Sequence, residues 1–299
     1  MSIKLGSTSF SSIYLGSTKI GAAYLGSTKV YVSSDPYNPL GLPSYTIRLQ
    51  FDNSSIDPTT LGITSGSWVQ VSSNPNVWDF TKTRSPSSWS SLFRNKLKYD
   101  TVGYFSVLGA NLTSVTNMSS MLYGCSGLQQ VPLFDTSSAT TMDSMFFFCS
   151  AIQQIPLFNT SSVTKMGNMF NGCTALQQVP LFNTSSVTIM SSMFSGCTAL
   201  QQVPLFNTSS VTSMSSMFSG CTALQQVPLF NTSSVTNMTN MFYNCWDVES
   251  GALALYQQAS TQTTPPSNHS NTFYNCGILT TSGTSELAQI PSSWGGTMA

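Results

Sequence analysis

The chain has 299 residues and zero formal net charge, and 7% of its residues are charged against roughly 25% in an ordinary globular protein. Seven of its ten Lys and Arg lie in residues 29–98, which excludes a basic nucleic-acid groove over the rest of the chain. No apolar run approaches the ~20 residues that span a bilayer, and the apolar residues are placed too regularly for a disordered tract, so neither membrane insertion nor disorder is expected.

The N-terminus, MSIKLGSTSF, has no apolar h-region and no cleavage site, so no secretory signal peptide is read there. A decapeptide repeat opens the chain: IKLGSTSFSS, IYLGSTKIGA, AYLGSTKVYV. Each copy is a few strand-like residues, a Gly-Ser-Thr turn and strand again. Residues 1–33 are expected as a meander of about four strands, too small to stand alone and therefore an attachment or oligomerisation module. Residues 34–44 (SDPYNPLGLPS) read as a linker. From 45 to 102, YTIRLQFD and GSWVQV alternate like strands, and Trp78, Phe80, Trp89 and Phe93 supply core. A small β-rich domain with a helix near SWSSLFRNKL is expected there.

Residues 103–246 repeat every 24 residues. Cys125, Cys149, Cys173, Cys197, Cys221 and Cys245 keep this step, as do the pairs Met118/Met121, Met142/Met145, Met166/Met169, Met190/Met193, Met214/Met217 and Met238/Met241. LFNTSSVT stands unchanged at 157–164, 181–188, 205–212 and 229–236. Between Tyr104 and Cys245 the only charged residues are Asp135, Asp143 and Lys165. A fixed period of this length means stacked units that bury one another's apolar faces. Val163, Met166, Met169, Phe170 and Cys173 fall at spacings of three and four, predicting a short helix capped by Ser161 or Ser162. Leu176, Val179 and Leu181 predict a short strand with three inward side chains, and stacked strands would make a parallel sheet. Pro132, Pro156, Pro180, Pro204 and Pro228 each remove an amide donor from that ladder. The fold class expected is an α+β, β-rich repeat protein: a leucine-rich-repeat-like solenoid of 24-residue coils preceded by small β modules.

Residues 247–299 are expected to close the solenoid. DVESGALALYQQA predicts a helix from about Asp247 to Gln258 across the open end. NTFYNC at 271–276 echoes NMFYNC at 240–245, and LAQIP at 287–291 echoes LQQVP at 224–228. Together they read as a seventh, degenerate unit with insertions, with Trp294 sealing the last edge.

Little here points to chemistry. Metal-site cysteines lie two to four residues apart in pairs, whereas these are 24 apart, so the six cysteines, with Met166, Met169, Met190, Met193, Met214 and Met217, are expected as a reduced core ladder. His269 is the only histidine, and no catalytic grouping forms around it. No enzyme, cofactor or metal site is expected. Asn159, Asn183, Asn207 and Asn231 are read as turn-formers. Thr160, Thr184, Thr208 and Thr232 form a further column. Gln153, Gln154, Gln177, Gln178, Gln201, Gln202, Gln225 and Gln226 flank inward positions and are the candidate ligand contacts. They would hydrogen-bond a sugar whose apolar face a neighbouring Phe covers, or stack and satisfy one another.

SSVTNMxxMFxxC followed by LxxVxLFNTSSVTNM resembles the leucine-rich repeats of BspA-like bacterial surface proteins, in their methionine-rich variety, over about residues 103–246. The LGST decapeptides are similar to N-terminal segments of tailed-phage structural proteins, gut-phage fibres and other virion appendages. The resemblance implies a non-enzymatic head or tail appendage at the virion surface. Its N-terminal module would hold other virion proteins, and its solenoid would bind a host-surface glycan or protein. A homo-oligomer, such as a trimer, is implied by the likeness to fibres. A bacterial cell-surface adhesin and a purely architectural decoration protein are the alternatives.

Overall fold

The computed structural model describes residues 40–298 except 73 and 84–86, together with four short strands nearer the N-terminus. These are β1 (Lys4–Leu5), β2 (Thr8–Ser9), β3 (Ala23–Leu25) and β4 (Thr28–Val30). The first and third LGST copies each form an antiparallel hairpin, with Leu5 opposite Thr8 and Leu25 opposite Thr28. Among the described residues these are two two-stranded sheets; the second copy, and with it the expected meander of residues 1–33 as a whole, lies outside the described residues.

Alternation in TIRLQF buries Ile47, Leu49 and Phe51 completely, as a half-buried strand requires. This strand, β5 (Thr46–Phe51), joins β6 (Gly66–Gln70), β7 (Val77–Lys82), β8 (Phe105–Asn111) and β9 (Leu128–Gln130). The sheet order is β6-β7-β5-β8-β9, antiparallel except for β8–β9. A bidentate pair between Arg48 and Asp79, at 2.6 and 2.7 Å, ties β5 to β7. Leu42, at the end of the expected linker, is buried, and its carbonyl accepts from Asn111 Nδ2 at 2.9 Å.

Residues 45–102, expected as a domain of their own, share this sheet and one continuous core with the first coils. The expected helix at SWSSLFRNKL is instead the solenoid's first coil. The N–H groups of Trp89, Ser91, Phe93 and Asn95 donate to the carbonyls of Asn117, Ser119, Met121 and Tyr123 in the coil that follows. The helix of this region, α1 (Tyr99–Val102), is a single turn.

The predicted helix at 163–173 is also replaced, and the hydrogen bonds say by what. The N–H groups of Met166, Asn168, Phe170 and Gly172 donate forward to Ile189, Ser191, Met193 and Ser195, while those of Met169, Asn171 and Cys173 close i→i−3 turns on their own coil. Backbone φ is +55° at Asn168 and +75° at Gly172, unwinding a helix every four residues. A chain of such turns buries residues at the same three-and-four spacing that a helix would. A column of parallel single-residue bridges runs through Asn117, Thr141, Lys165, Ile189, Ser213, Asn237 and Asn268. The coils are therefore joined mainly along their turns.

The opposite, Leu-Gln-Gln-Val-Pro side carries far less pairing than the expected parallel sheet. Beyond β9 it keeps isolated contacts such as Gln177 N–H to Gln153 carbonyl (3.2 Å) and Gln225 N–H to Gln201 carbonyl (3.0 Å). The prolines supply the physical reason, since each deletes a donor in the middle of the segment.

The far end closes with an eighth run of turns, counting from the coil that contains Trp89. Met238, Asn240, Phe242 and Asn244 donate to Asn268, Ser270, Thr272 and Tyr274. The expected helix begins later than Asp247: α2 spans Ala252–Thr261, because Val248 first fills the buried Leu224 position and Gln226 bridges Ser250. α2 then stands in for a further coil. Gln258 Nε2 donates to the Phe230 carbonyl (2.6 Å), and Gln262 meets Thr232 through both ends of its amide. LAQIP is no strand; Leu287 ends α3 (Thr281–Leu287) and a turn follows. Trp294 is buried against Phe273, His269 and Tyr256.

Glu286 on α3 caps α2, its carboxylate accepting from the N–H groups of Gly251 (3.2 Å) and Leu253 (3.1 Å). Glu286→Ala removes both acceptors and is expected to cost ~1 kcal/mol or slightly more, the usual loss for an N-terminal cap. Thermal melting with a Glu286→Gln control, which keeps one acceptor oxygen, would measure it.

Candidate recognition surface

Leu181 was expected inside; it is outside. Leu157, Leu181, Leu205 and Leu229 are 51–62% exposed, while Phe158, Phe182, Phe206 and Phe230 beside them are buried. The Val-Pro-Leu-Phe segment does not keep strand alternation past its proline, so Val179 and Phe182 point in and Leu181 points out. The result is an exposed apolar column along the solenoid, on the face with the least inter-coil hydrogen bonding.

Next to it stand the glutamines. Gln153, Gln154, Gln177, Gln178, Gln201, Gln202, Gln225 and Gln226 are all exposed. Among the described residues, none of these eight side chains hydrogen-bonds another, so the stacked-amide arrangement does not form. They line clefts between successive coils. One of about 560 Å³ lies between Gln129/Gln130 and Gln153/Gln154, ending at Pro156. Another of about 410 Å³ is bounded by Gln202, Gln226, Leu205, Leu229 and the start of α2. The apolar partner of each amide pair is thus Leu and Pro rather than Phe. The phenylalanines instead form buried ladders: Phe146, Phe170, Phe194, Phe218 and Phe242 stack with centroids 5.2–5.7 Å apart.

Cys125, Cys149, Cys173, Cys197, Cys221 and Cys245 are buried and free, with Met166, Met169, Met190, Met193, Met214 and Met217 around them. The thiols do more than fill space. Cys173 Sγ donates to the Phe146 carbonyl at 3.1 Å, and Cys197, Cys221 and Cys245 repeat the bond to Phe170, Phe194 and Phe218 at 3.0 Å. Sequence reasoning missed this bond; the invariant spacing of Cys to the Phe 27 residues earlier was its only trace. Burial pushes these thiols up, to about 12 for Cys173 and Cys221.

The threonine column is internal: Thr160, Thr184 and Thr208 are buried and donate to the carbonyls of Asn183, Asn207 and Asn231 at 2.7–2.8 Å. Asn159, Asn183 and Asn207 shape the coil's corner, each side-chain oxygen accepting from the N–H of the serine two residues on at 3.1 Å. His269 stacks on Trp294 with centroids 4.2 Å apart. Among the described residues no group of three metal-ligating side chains converges, and no helix is long and apolar enough to cross a membrane.

A second feature lies at the N-terminal end, where the repeat is least regular. Tyr99 and Tyr104 pack at 4.5 Å, Tyr123 stacks on Phe147 at 4.4 Å, and Phe148 meets Phe147 edge-on at 4.7 Å. Tyr99, Tyr104, Tyr123 and Phe148 line an open cleft of about 750 Å³ with Asn95, Lys98, Asp100, Ser126, Ser150 and Thr174. Arg94 sits over the Tyr123 ring, 4.1 Å from its centroid. Aromatic residues at 123, 147 and 148, where inner coils carry Asn or Ser and then Gly, were the signal available in the sequence.

A family model described as "Mycoplasma protein of unknown function, DUF285" matches residues 87–202 and again residues 177–279. The first match begins at the coil that contains Trp89, and the second ends just past the last run of turns. No curated protein matches the chain.

Proposed function

The chain belongs to the family described as Mycoplasma protein of unknown function, DUF285, and from the surface above we propose a non-enzymatic recognition protein. In this reading it is a head or tail appendage of a tailed-phage particle, with BspA-like, methionine-rich repeats. The LGST hairpins attach it to other virion proteins and join copies of the chain, and the solenoid binds a host-surface glycan or protein. One observation carries the recognition role: the column of exposed leucines flanked by exposed glutamine amides without hydrogen bonds to one another. Contiguous exposed apolar surface rimmed by polar groups marks interaction sites. The near absence of charge suits a contact made by shape, amides and apolar area. The phage setting is supported by the LGST decapeptides. A bacterial cell-surface adhesin built on the same face is the second reading; the family's description names a bacterium and no function.

The test is binding of the labelled full chain to a panel of bacterial cells, beside the variant carrying Leu181→Gln and Leu205→Gln. Wild-type binding to some strains, reduced about tenfold or more in the variant, is the expected result. Equal binding by both would remove the leucine column from the contact. No binding by either, with the chain retained in purified particles, would favour an architectural role.

A further inference from the structure

Phe148 is hard to explain by folding alone. Its backbone φ is +55°, a conformation that costs a side-chain-bearing residue of order 1–2 kcal/mol. The equivalent positions in inner coils are Gly172, Gly196 and Gly220, at φ of +73° to +75°. The residue is 52% exposed, so burial recovers only part of the cost. One side of the ring packs on Gly172, where a Cβ would lie 2.8 Å from Phe148 Cδ1; the ring also lines the cleft. Tyr99 and Tyr104, exposed as a touching pair, line it too.

We infer that this cleft, lined by Tyr99, Tyr104, Tyr123 and Phe148 at the junction of α1 with the first coils, is a saccharide-binding site. Its volume lies within the range of small-ligand pockets. The exposed rings of Tyr99, Tyr104 and Phe148 offer flat apolar faces that suit the C–H faces of a pyranose, and Tyr adds a polar tip; Tyr123, held between Phe147 and Arg94, forms the cleft's wall. Around them stand groups of both hydrogen-bonding senses: the Asp100 carboxylate, the Asn95 amide, the Lys98 ammonium and the Ser150 and Thr174 hydroxyls. A sugar hydroxyl is both donor and acceptor and can match all of them. A proline-rich peptide, the other usual occupant of an aromatic groove, brings carbonyl acceptors but few N–H donors, and so leaves the Asp100 carboxylate unmatched. The inference rests on the recognition role proposed above for its setting only, since the cleft is separate from the leucine column.

The experiment uses the full chain on a glycan array of neutral and carboxylated oligosaccharides and on a set of proline-rich peptides, followed by titration calorimetry of the best saccharide. Phe148→Gly is the informative variant, because it installs the residue that inner coils carry and relieves the backbone, so its melting temperature should hold or rise. Its saccharide affinity is expected to fall about tenfold, as is that of Tyr99→Ala, while the variant carrying Leu181→Gln and Leu205→Gln keeps wild-type saccharide affinity. No saccharide bound, equal saccharide affinity in Phe148→Gly, or binding of the proline-rich peptides in place of saccharides would each overturn the inference. Loss of saccharide binding on changing the leucines, with none on changing Phe148, would move the site to the leucine column.

Discussion

Phe206→Ala is expected to cost ~3–5 kcal/mol, the usual range for emptying a large aromatic site in a core, while Leu205→Gln, one residue earlier, is expected to change stability by less than ~0.5 kcal/mol. Phe206 is 2% exposed and stacks between Phe182 and Phe230, each at 6.4 Å, with Phe194 at 6.2 Å. No inner coil can collapse into the gap, because its backbone is tied by hydrogen bonds to the coils on either side. Leu205 is 62% exposed, and glutamine there meets water. Denaturant melts of the two variants measured side by side would decide it. Comparable losses would mean that the leucine column is covered in the folded protein.

A steep loss of stability above pH 9 is the second large effect. Burial holds the folded-state thiols up, Cys173 and Cys221 to about 12 and Cys149, Cys197 and Cys245 well above their ordinary value. In the unfolded chain a thiol ionises near ~8.5. The sign follows: the folded state binds more protons, so this contribution is whole below ~8.5 and is lost as pH rises toward the folded values. Each thiol that ionises only on unfolding takes away ~1.4 kcal/mol per pH unit. All seven cysteines are buried and free, so together they remove roughly 10 kcal/mol per unit, comparable with a whole domain's stability. Melting temperature in reducing buffer should be level from pH 6 to 8 and fall sharply between 9 and 10.5. Cys197→Ala together with Cys221→Ala should make the fall shallower. A melting temperature level to pH 10.5 would refute the insulation of the ladder.

The repeat, its period and its inward set were legible because burial depends on spacing alone: Met166, Met169, Phe170 and Cys173 are inside, as the pattern requires. The backbone that achieves this was not legible. A helix and a run of turns bury the same spacings, and the deciding feature is the left-handed backbone at Asn168, a position held by Ser192 and Ser216 in the next coils. Neither residue type announces that conformation. Leu181 and Phe182 were misassigned for a related reason: Pro180 breaks the strand, and period-two counting does not survive it. The 102/103 boundary failed because β5 pairs with β8 across more than fifty residues of chain, a long-range pairing that local pattern cannot reveal. The glutamine faces were foreseen, but not their leucine neighbours. The aromatic cleft was visible only as a departure from the repeat at Tyr123, Phe147 and Phe148.

The hydrogen bonds between inner coils have one further consequence. Met166 to Ile189, Met190 to Ser213 and Met214 to Asn237 are the same bond made three times, and the side chains at the accepting positions need not match. A gene encoding four identical LFNTSSVT phrases offers register-preserving crossover points. Gain or loss of 24 residues by unequal recombination would leave every remaining junction chemically unchanged. Each event would shift the distance between the aromatic cleft and the α2 cap by about 4.8 Å, one inter-strand spacing. The same stacking that fixes the structure so tightly thus leaves its length free to evolve in discrete steps.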